Sequence, residues 1–237
     1  MLESLLMSVT RLSTFLGDRA LTAGSGFFYE SESRLYLVTS RHVFIDEAAQ
    51  HLPDRIEFVV HTDATNLTRW QSVSMPLYAG GRAAWRQARD SGGEIDVAAI
   101  EVSRSLLPSD LQVRCFGPES LPADLDIAQA GTPILLVGFP LGFYDTVHHL
   151  PVVRQAIVAS SFGVRFQGQG FFLTDARMHR GASGAPAVLR RGDGEFPWVL
   201  LGVHSSRLDM KNRDLLQDDS LGLNCAWYSD VLKTLVP

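Results

Sequence analysis

The chain reads as an all-β protein, either a sandwich or a barrel, on three observations. Short apolar runs dominate its 237 residues. Clusters of Gly, Asp, Ser and Pro separate the runs, as turn chemistry requires. Helical periodicity is sparse.

In the first half the runs fall at 27–29, 35–38, 56–60 and 97–102. Each is short, apolar and rich in aromatic or β-branched residues, and so strand-like. The polar segment 64–94, carrying Arg82, Arg86 and Arg89, reads as a long loop, with one helical turn over 83–89. Residues 103–131 are rich in Pro, Asp and Ser and mark a boundary. In the second half the runs are 133–137, 152–158, 171–173, 187–189, 199–203 and 223–227. Arg190-Arg191-Gly192-Asp193-Gly194 signals a hairpin. A second polar loop spans 205–220. Ser229 precedes helical apolar spacing and predicts a C-terminal helix over 229–235.

Composition narrows the function. With 46% apolar residues the chain can fill two cores, and a net charge of −5 gives no reason to expect a nucleic-acid partner. Two cysteines, Cys115 and Cys225, allow at most one disulfide and read as free thiols of a reducing compartment. The N-terminus has no basic region and no long apolar core, and no window is long and apolar enough for a membrane span. The expectation is a cytoplasmic protein that does not insert in a membrane.

The chemistry concentrates at Arg180-Gly181-Ala182-Ser183-Gly184. A serine hydroxyl is a weak nucleophile until a base takes its proton and something cradles the oxyanion it creates. Gly181 lets the backbone turn, so that the Gly181 and Ser183 N–H groups can both donate to one oxygen. Upstream, a strand-like run ends at His42, and Asp96 heads another. His42 precedes Asp96 by 54 residues, and Asp96 precedes Ser183 by 87. That spacing suits one barrel carrying His and Asp and a second carrying Ser. His148-His149 is an adjacent pair, which cannot easily chelate one ion, so no metal is expected.

These residues resemble the trypsin-like serine proteases of the chymotrypsin fold, most nearly the bacterial HtrA-like branch. The resemblance rests on Gly24-Ser25-Gly26-Phe27, Val38-Thr39-Ser40-Arg41-His42-Val43, Asp96-Val97-Ala98, Val137-Gly138-Phe139-Pro140-Leu141-Gly142, Thr174-Asp175-Ala176, Arg180 through Gly184, and Leu201-Gly202-Val203. It implies two antiparallel six-stranded β-barrels with a short C-terminal helix. Residues 1–115 would carry His and Asp, and 116–237 Ser and the S1 pocket, without an appended PDZ domain. It further implies His42 as general base, Asp96 as its orienting acid (Glu94 the fallback), Ser183 as nucleophile, and an oxyanion hole from the Gly181 and Ser183 N–H groups. A peptide or protein is the implied substrate, with no cofactor and with room for a fused or associated regulatory protein. Ala182 replaces the acid that pairs with a cleaved N-terminus in zymogen-type trypsins, so activity without propeptide cleavage is expected. In HtrA-like proteins the corresponding loop switches between competent and incompetent forms, and the resemblance implies that possibility for the loop around Arg180.

Specificity stays open between two readings. Arg177 occupies the S1-base position, six residues before the nucleophile, where trypsins carry an acid. His204 ends the 199–203 run, like the pocket histidine of glutamyl endopeptidases and of picornaviral proteases that cut after Gln. Arg177, His204 and Arg207 favour Glu, then Gln or Asp, at P1. Met178 would instead help form a small apolar pocket. Beyond an endopeptidase, a gated or inactive barrel acting as an interaction module is the alternative. An α/β-hydrolase esterase is disfavoured, because a hairpin signal rather than a helix follows Ser183.

Overall fold

The computed structural model describes residues 3–208 and 221–236. Among these residues fifteen strands lie between a 3₁₀ turn at Ser4–Ser8 and a short C-terminal helix. The first half contributes β1 (Val9–Leu16), β2 (Arg19–Ser31), β3 (Arg34–Thr39), helix α1 (Arg41–Phe44), β4 (Arg55–His61), β5 (Trp70–Pro76), the small hairpin β6 (Tyr78–Ala79) and β7 (Arg82–Ala83), β8 (Trp85–Asp90) and β9 (Gly93–Val102). The second contributes β10 (Pro133–Gly138), β11 (Val152–Ile157), β12 (Phe171–Thr174), β13 (Pro186–Arg190), β14 (Trp198–Leu208), β15 (Leu223–Tyr228) and helix α2 (Leu232–Leu235).

Two main sheets result, one ordered β5-β4-β1-β2-β3-β9-β8 and the other β11-β10-β13-β14-β15-β12. The ladders between neighbouring strands are antiparallel. The all-β, two-sheet architecture is the expected one, with a chain path that runs through one sheet before the other.

The most apolar runs belong to strands buried on both faces. On β3, Leu35 and Leu37 enter the core of the first sheet, with Phe28, Phe58 and Ile100. The intervening Tyr36 and Val38 face the other way, into a core shared by both sheets. That shared core joins Phe27, Tyr29 and Val97 to Val137, Leu173, Leu200 and Trp227. A third cluster, including Ile134, Leu136, Phe172, Ala185 and Leu201, fills the second sheet. Side chains alternate faces along a strand, so a two-sided strand has no polar position left.

Four features differ from expectation. The first sheet has seven strands rather than six. The segment 64–94 is not one loop, and 83–89 is not helical. It holds β5, which buries only Val73 and Met75, and β8, whose one buried residue is Trp85. Both are edge strands, held by backbone pairing and one or two anchors, so their exposed faces are as polar as a loop. β1 went unanticipated for a related reason: its polar Thr10, Arg11, Ser13 and Thr14 interrupt the apolar residues. The C-terminal helix begins as a 3₁₀ turn, Ser229–Val231. Ser229 does not cap it, because its hydroxyl donates to the Leu200 carbonyl at 2.6 Å.

Candidate active site

β3 ends at Thr39, and the chain turns at once into the single turn of α1, which presents His42. β9 lies beside β3 and carries Asp96 in the register where its carboxylate meets that turn. Asp96 Oδ1 accepts the His42 backbone N–H at 2.8 Å, and Oδ2 accepts from His42 Nδ1 at 2.6 Å. Because an ionised carboxylate only accepts, the ring proton sits on Nδ1 and leaves Nε2 as the acceptor. Nε2 lies 2.8 Å from Ser183 Oγ. The structure thus brings the three predicted residues into one relay. Glu94, the fallback acid, is turned away and faces Arg41 at 3.9 Å.

Burial of the His42 ring disfavours its charge, but the hydrogen bond and charge of Asp96, with Asp46 beyond, outweigh this and raise its pKa above the usual histidine value. A base so raised holds a proton more firmly once it has taken one.

Ser183 sits in the turn before β13, and backbone contacts hold that turn across both sheets. The Ser183 carbonyl accepts the Ser25 N–H at 2.8 Å, and the His204 carbonyl accepts the Gly184 N–H at 2.7 Å. Ser40 Oγ also donates to the His204 carbonyl, at 3.0 Å, tying the nucleophile turn to the start of α1. Gly181 and Gly184 both have φ of +88°. A Cβ on Gly184 would meet the Ser25 carbonyl oxygen at 2.1 Å, so only glycine allows the sheets to approach this closely.

The carbonyl of Arg180 accepts the Leu141 N–H at 2.5 Å, and that of Gly181 accepts Ser25 Oγ–H at 2.8 Å. The Gly181 and Ser183 N–H groups donate to no described residue. Oxyanion stabilisation needs donors that are not already spent on a protein acceptor.

A cleft of about 310 Å³ adjoins Ser183, lined by His42, His179, Arg180, His204, Ser205 and Arg207 among others. His204 is buried, 2% exposed, with an Nδ1 that has no partner among the described residues. Burial, then the nearby His42, lowers its pKa to about 3 against a small opposing effect of Asp96, so the ring is neutral. Two other specificity candidates lie elsewhere. Arg177 is exposed and Met178 is buried in the second sheet's core with Ala176 and Ala182. Neither lines the cleft. The segment alternates, with Ala176 and Met178 inward, which turns Arg177 out. Of the loop 205–220, positions 209–220 lie outside the described residues.

Two participants were not singled out from sequence. Ser205 hydrogen-bonds Asp96 Oδ2 through its hydroxyl, and its carbonyl lies 3.1 Å from Ser183 Oγ. Ser25 reaches Gly181 from the other sheet. A strand serine carries no local mark of either role. The pair His148 and His149 is occupied structurally: His148 Nδ1 lies 2.7 Å from Asp145, and His149 stacks on Trp70 with ring centroids 4.1 Å apart.

Fold and site together define a class, the two-sheet proteins with a His-Asp-Ser relay in the cleft between sheets. A trypsin-like peptidase domain matches residues 24–195, and the chain belongs to that family. Its fold is similar to that of a serine endoprotease from Yersinia pestis (15% identity, TM-score 0.54), where the match covers 98% of this chain and 62% of that one. It is also similar to an M. tuberculosis protease in its active form (15% identity, TM-score 0.54; 98% and 80% covered). A scabies mite inactivated protease paralogue shares the fold as well (18% identity, TM-score 0.60; 99% and 94% covered). The chain therefore spans less than two thirds of the Yersinia protein's length. No curated protein matches the chain.

Proposed function

We propose that the chain is a serine endopeptidase that hydrolyses peptide bonds through an acyl-enzyme. Ser183 Oγ attacks the carbonyl carbon of the scissile bond while His42 Nε2 takes its proton. Asp96 keeps the imidazole in the accepting tautomer and stabilises the imidazolium. The oxyanion is received by the Gly181 and Ser183 N–H groups. Collapse expels the amine, which leaves with the proton from His42; water then repeats the sequence on the ester. The observation that carries this reading is the unbroken relay of 2.6 and 2.8 Å from Asp96 to Ser183, beside two N–H groups, those of Gly181 and Ser183, that donate to no acceptor among the described residues.

The test is labelling by a fluorophosphonate probe together with peptide hydrolysis. Wild type is expected to label and cleave, and Ser183→Ala to do neither while keeping its fold, a loss on the order of 10⁶ in turnover. The second reading, a gated or inactive module, is favoured by the shared fold with an inactivated paralogue. It expects no labelling of wild type under any condition.

For specificity, a P1 side chain ending in an acceptor, Glu first, is the reading the cleft supports. No carboxylate appears among its described lining residues, whereas Arg180, Arg207 and His204 do. A neutral imidazole can donate one hydrogen bond to such a side chain, and a partner left unpaired penalises the wrong one. The small apolar alternative leaned on Met178, which packs in the core. Matched peptides differing only at P1 test this. A wild type that prefers Val over Glu, with the ratio unchanged in His204→Ala, would end the acidic reading.

A further inference from the structure

Ser25 belongs to the sheet that does not carry the nucleophile, yet three of its groups hold the nucleophile's surroundings. It lies on β2 and is fully buried. Its hydroxyl donates to the Gly181 carbonyl at 2.8 Å and accepts the Phe139 N–H at 3.0 Å. Its backbone N–H donates to the Ser183 carbonyl at 2.8 Å, and its own carbonyl accepts Thr39 Oγ1–H at 2.7 Å. The fit is close: a Cβ on Gly138 would come within 2.6 Å of Ser25 Oγ.

A peptide group is planar, so fixing a carbonyl also fixes the N–H of the next residue. The Arg180 carbonyl, held by Leu141, sets the direction of the Gly181 N–H. That hold alone is weak security, because glycine accepts φ of either sign and Gly181 offers little resistance to a turn of the peptide before it. Ser25 Oγ anchors the peptide after Gly181 and so limits how far the loop can shift to accommodate such a turn. The same residue anchors the Ser183 carbonyl. By the same rule the Ala182 carbonyl, which accepts the Ala185 N–H at 2.9 Å, sets the direction of the Ser183 N–H, and the two carbonyls that Ser25 holds, those of Gly181 and Ser183, lie on either side of that peptide.

Given the peptidase reading, on which this rests, we propose that Ser25 is a positioning residue for the oxyanion site. Its hydroxyl, reaching across from the other sheet, keeps the Gly181 peptide turned so that both N–H donors converge. Ser25 does not line the cleft, and its one bond to a relay residue goes to the Ser183 backbone carbonyl and not to the reacting hydroxyl. Its contribution therefore appears where negative charge develops on the substrate oxygen, and not in ground-state binding.

The test compares wild type with Ser25→Ala and Ser25→Cys, using a peptide substrate, a peptide boronic acid and the corresponding product peptide. The boronate forms a tetrahedral adduct on Ser183 with an oxygen in the oxyanion site; the product peptide does not. In Ser25→Ala the Gly181 carbonyl and Phe139 N–H lose a buried partner, and kcat is expected to fall about 10- to 100-fold. Boronate affinity should fall by the same factor. KM, product affinity and the midpoint of the pH profile should stay near wild type, a split that general loosening would not produce. Ser25→Cys keeps the side-chain shape, slightly enlarged, and a weak donor, and should lie between the two; it carries the test if Ser25→Ala does not fold. The proposal is overturned if kcat and boronate affinity are unchanged, or if boronate and product weaken together. A wild type that neither cleaves nor binds boronate overturns the peptidase reading itself, a result distinct from either.

Discussion

Replacing Asp96 with Asn tests the relay at the point where its geometry is most constrained. The carboxylate accepts from three donors: the His42 backbone N–H at 2.8 Å on Oδ1, His42 Nδ1 at 2.6 Å on Oδ2, and the Ser205 hydroxyl on Oδ2. An amide offers one acceptor oxygen and one NH₂ donor. The backbone N–H of His42 cannot be reversed, so the amide oxygen must take the Oδ1 position. The NH₂ then faces Nδ1 and donates to it, which moves the ring proton to Nε2. A protonated Nε2 cannot accept from Ser183 Oγ across the 2.8 Å gap. The substitution thus selects the wrong tautomer with little change of shape, and kcat should fall by about 10⁴. At about 1.4 kcal/mol per tenfold, that is roughly 5–6 kcal/mol of transition-state stabilisation. The variant also removes the main cause that raises the His42 pKa, so whatever activity remains should have its ascending pH limb at lower pH. The assay is kcat/KM over pH on a peptide substrate, with the labelling rate of Ser183 and Tm as controls. Near-normal turnover in a folded Asp96→Asn variant would refute the reasoning, and another residue would be the orienting acid.

Gly184→Ala should destabilise the chain by about 3–5 kcal/mol, combining left-handed strain with overpacking, since the new Cβ would meet the Ser25 carbonyl at 2.1 Å and Thr39 Oγ1 at 2.2 Å; denaturant unfolding checks this, and a loss under about 1 kcal/mol would contradict the tight junction. His204, with a folded pKa of about 3, binds its proton more readily when unfolded, so stability should decline as pH falls from about 6.5 towards 3. His204→Gln should flatten that slope by up to one proton, about 1.4 kcal/mol per pH unit. His42 has the opposite sign in another window: its raised pKa adds stability that is fully present below about 6.5 and lost as pH rises through the folded value. An N-terminal tag should leave kcat/KM within about threefold, because buried Ala182 supplies no acid for a new terminus; strict dependence on processing would overturn that.

Much of this molecule was legible in the chain because burial and nucleophile chemistry leave local marks. Strands such as β3 and β9 are buried on both faces, so they appear as continuous apolar runs. The glycines at 181 and 184 mark backbone that other residues rarely adopt, and His42 and Asp96 stand at the strand positions that the resemblance requires. β1, β5 and β8 were hidden because pairing by backbone hydrogen bonds is indifferent to side-chain type. Arg177 and Met178 sat at the right distance from Ser183, but inward-outward alternation, not sequence distance, decided their places: Met178 turns into the core and Arg177 out to solvent, and neither lines the cleft. Ser25 and Ser205 were out of reach altogether. Each acts on a residue more than a hundred positions away, Ser25 on Gly181 and Ser205 on Asp96, and a hydroxyl's partner is set by which surfaces meet. The chain alone determined the chemistry on offer, a serine, a histidine and an aspartate with a glycine-hinged loop. The meeting of the two sheets decided how those groups are held, because the hydrogen bonds that orient them cross between elements that sequence order keeps apart.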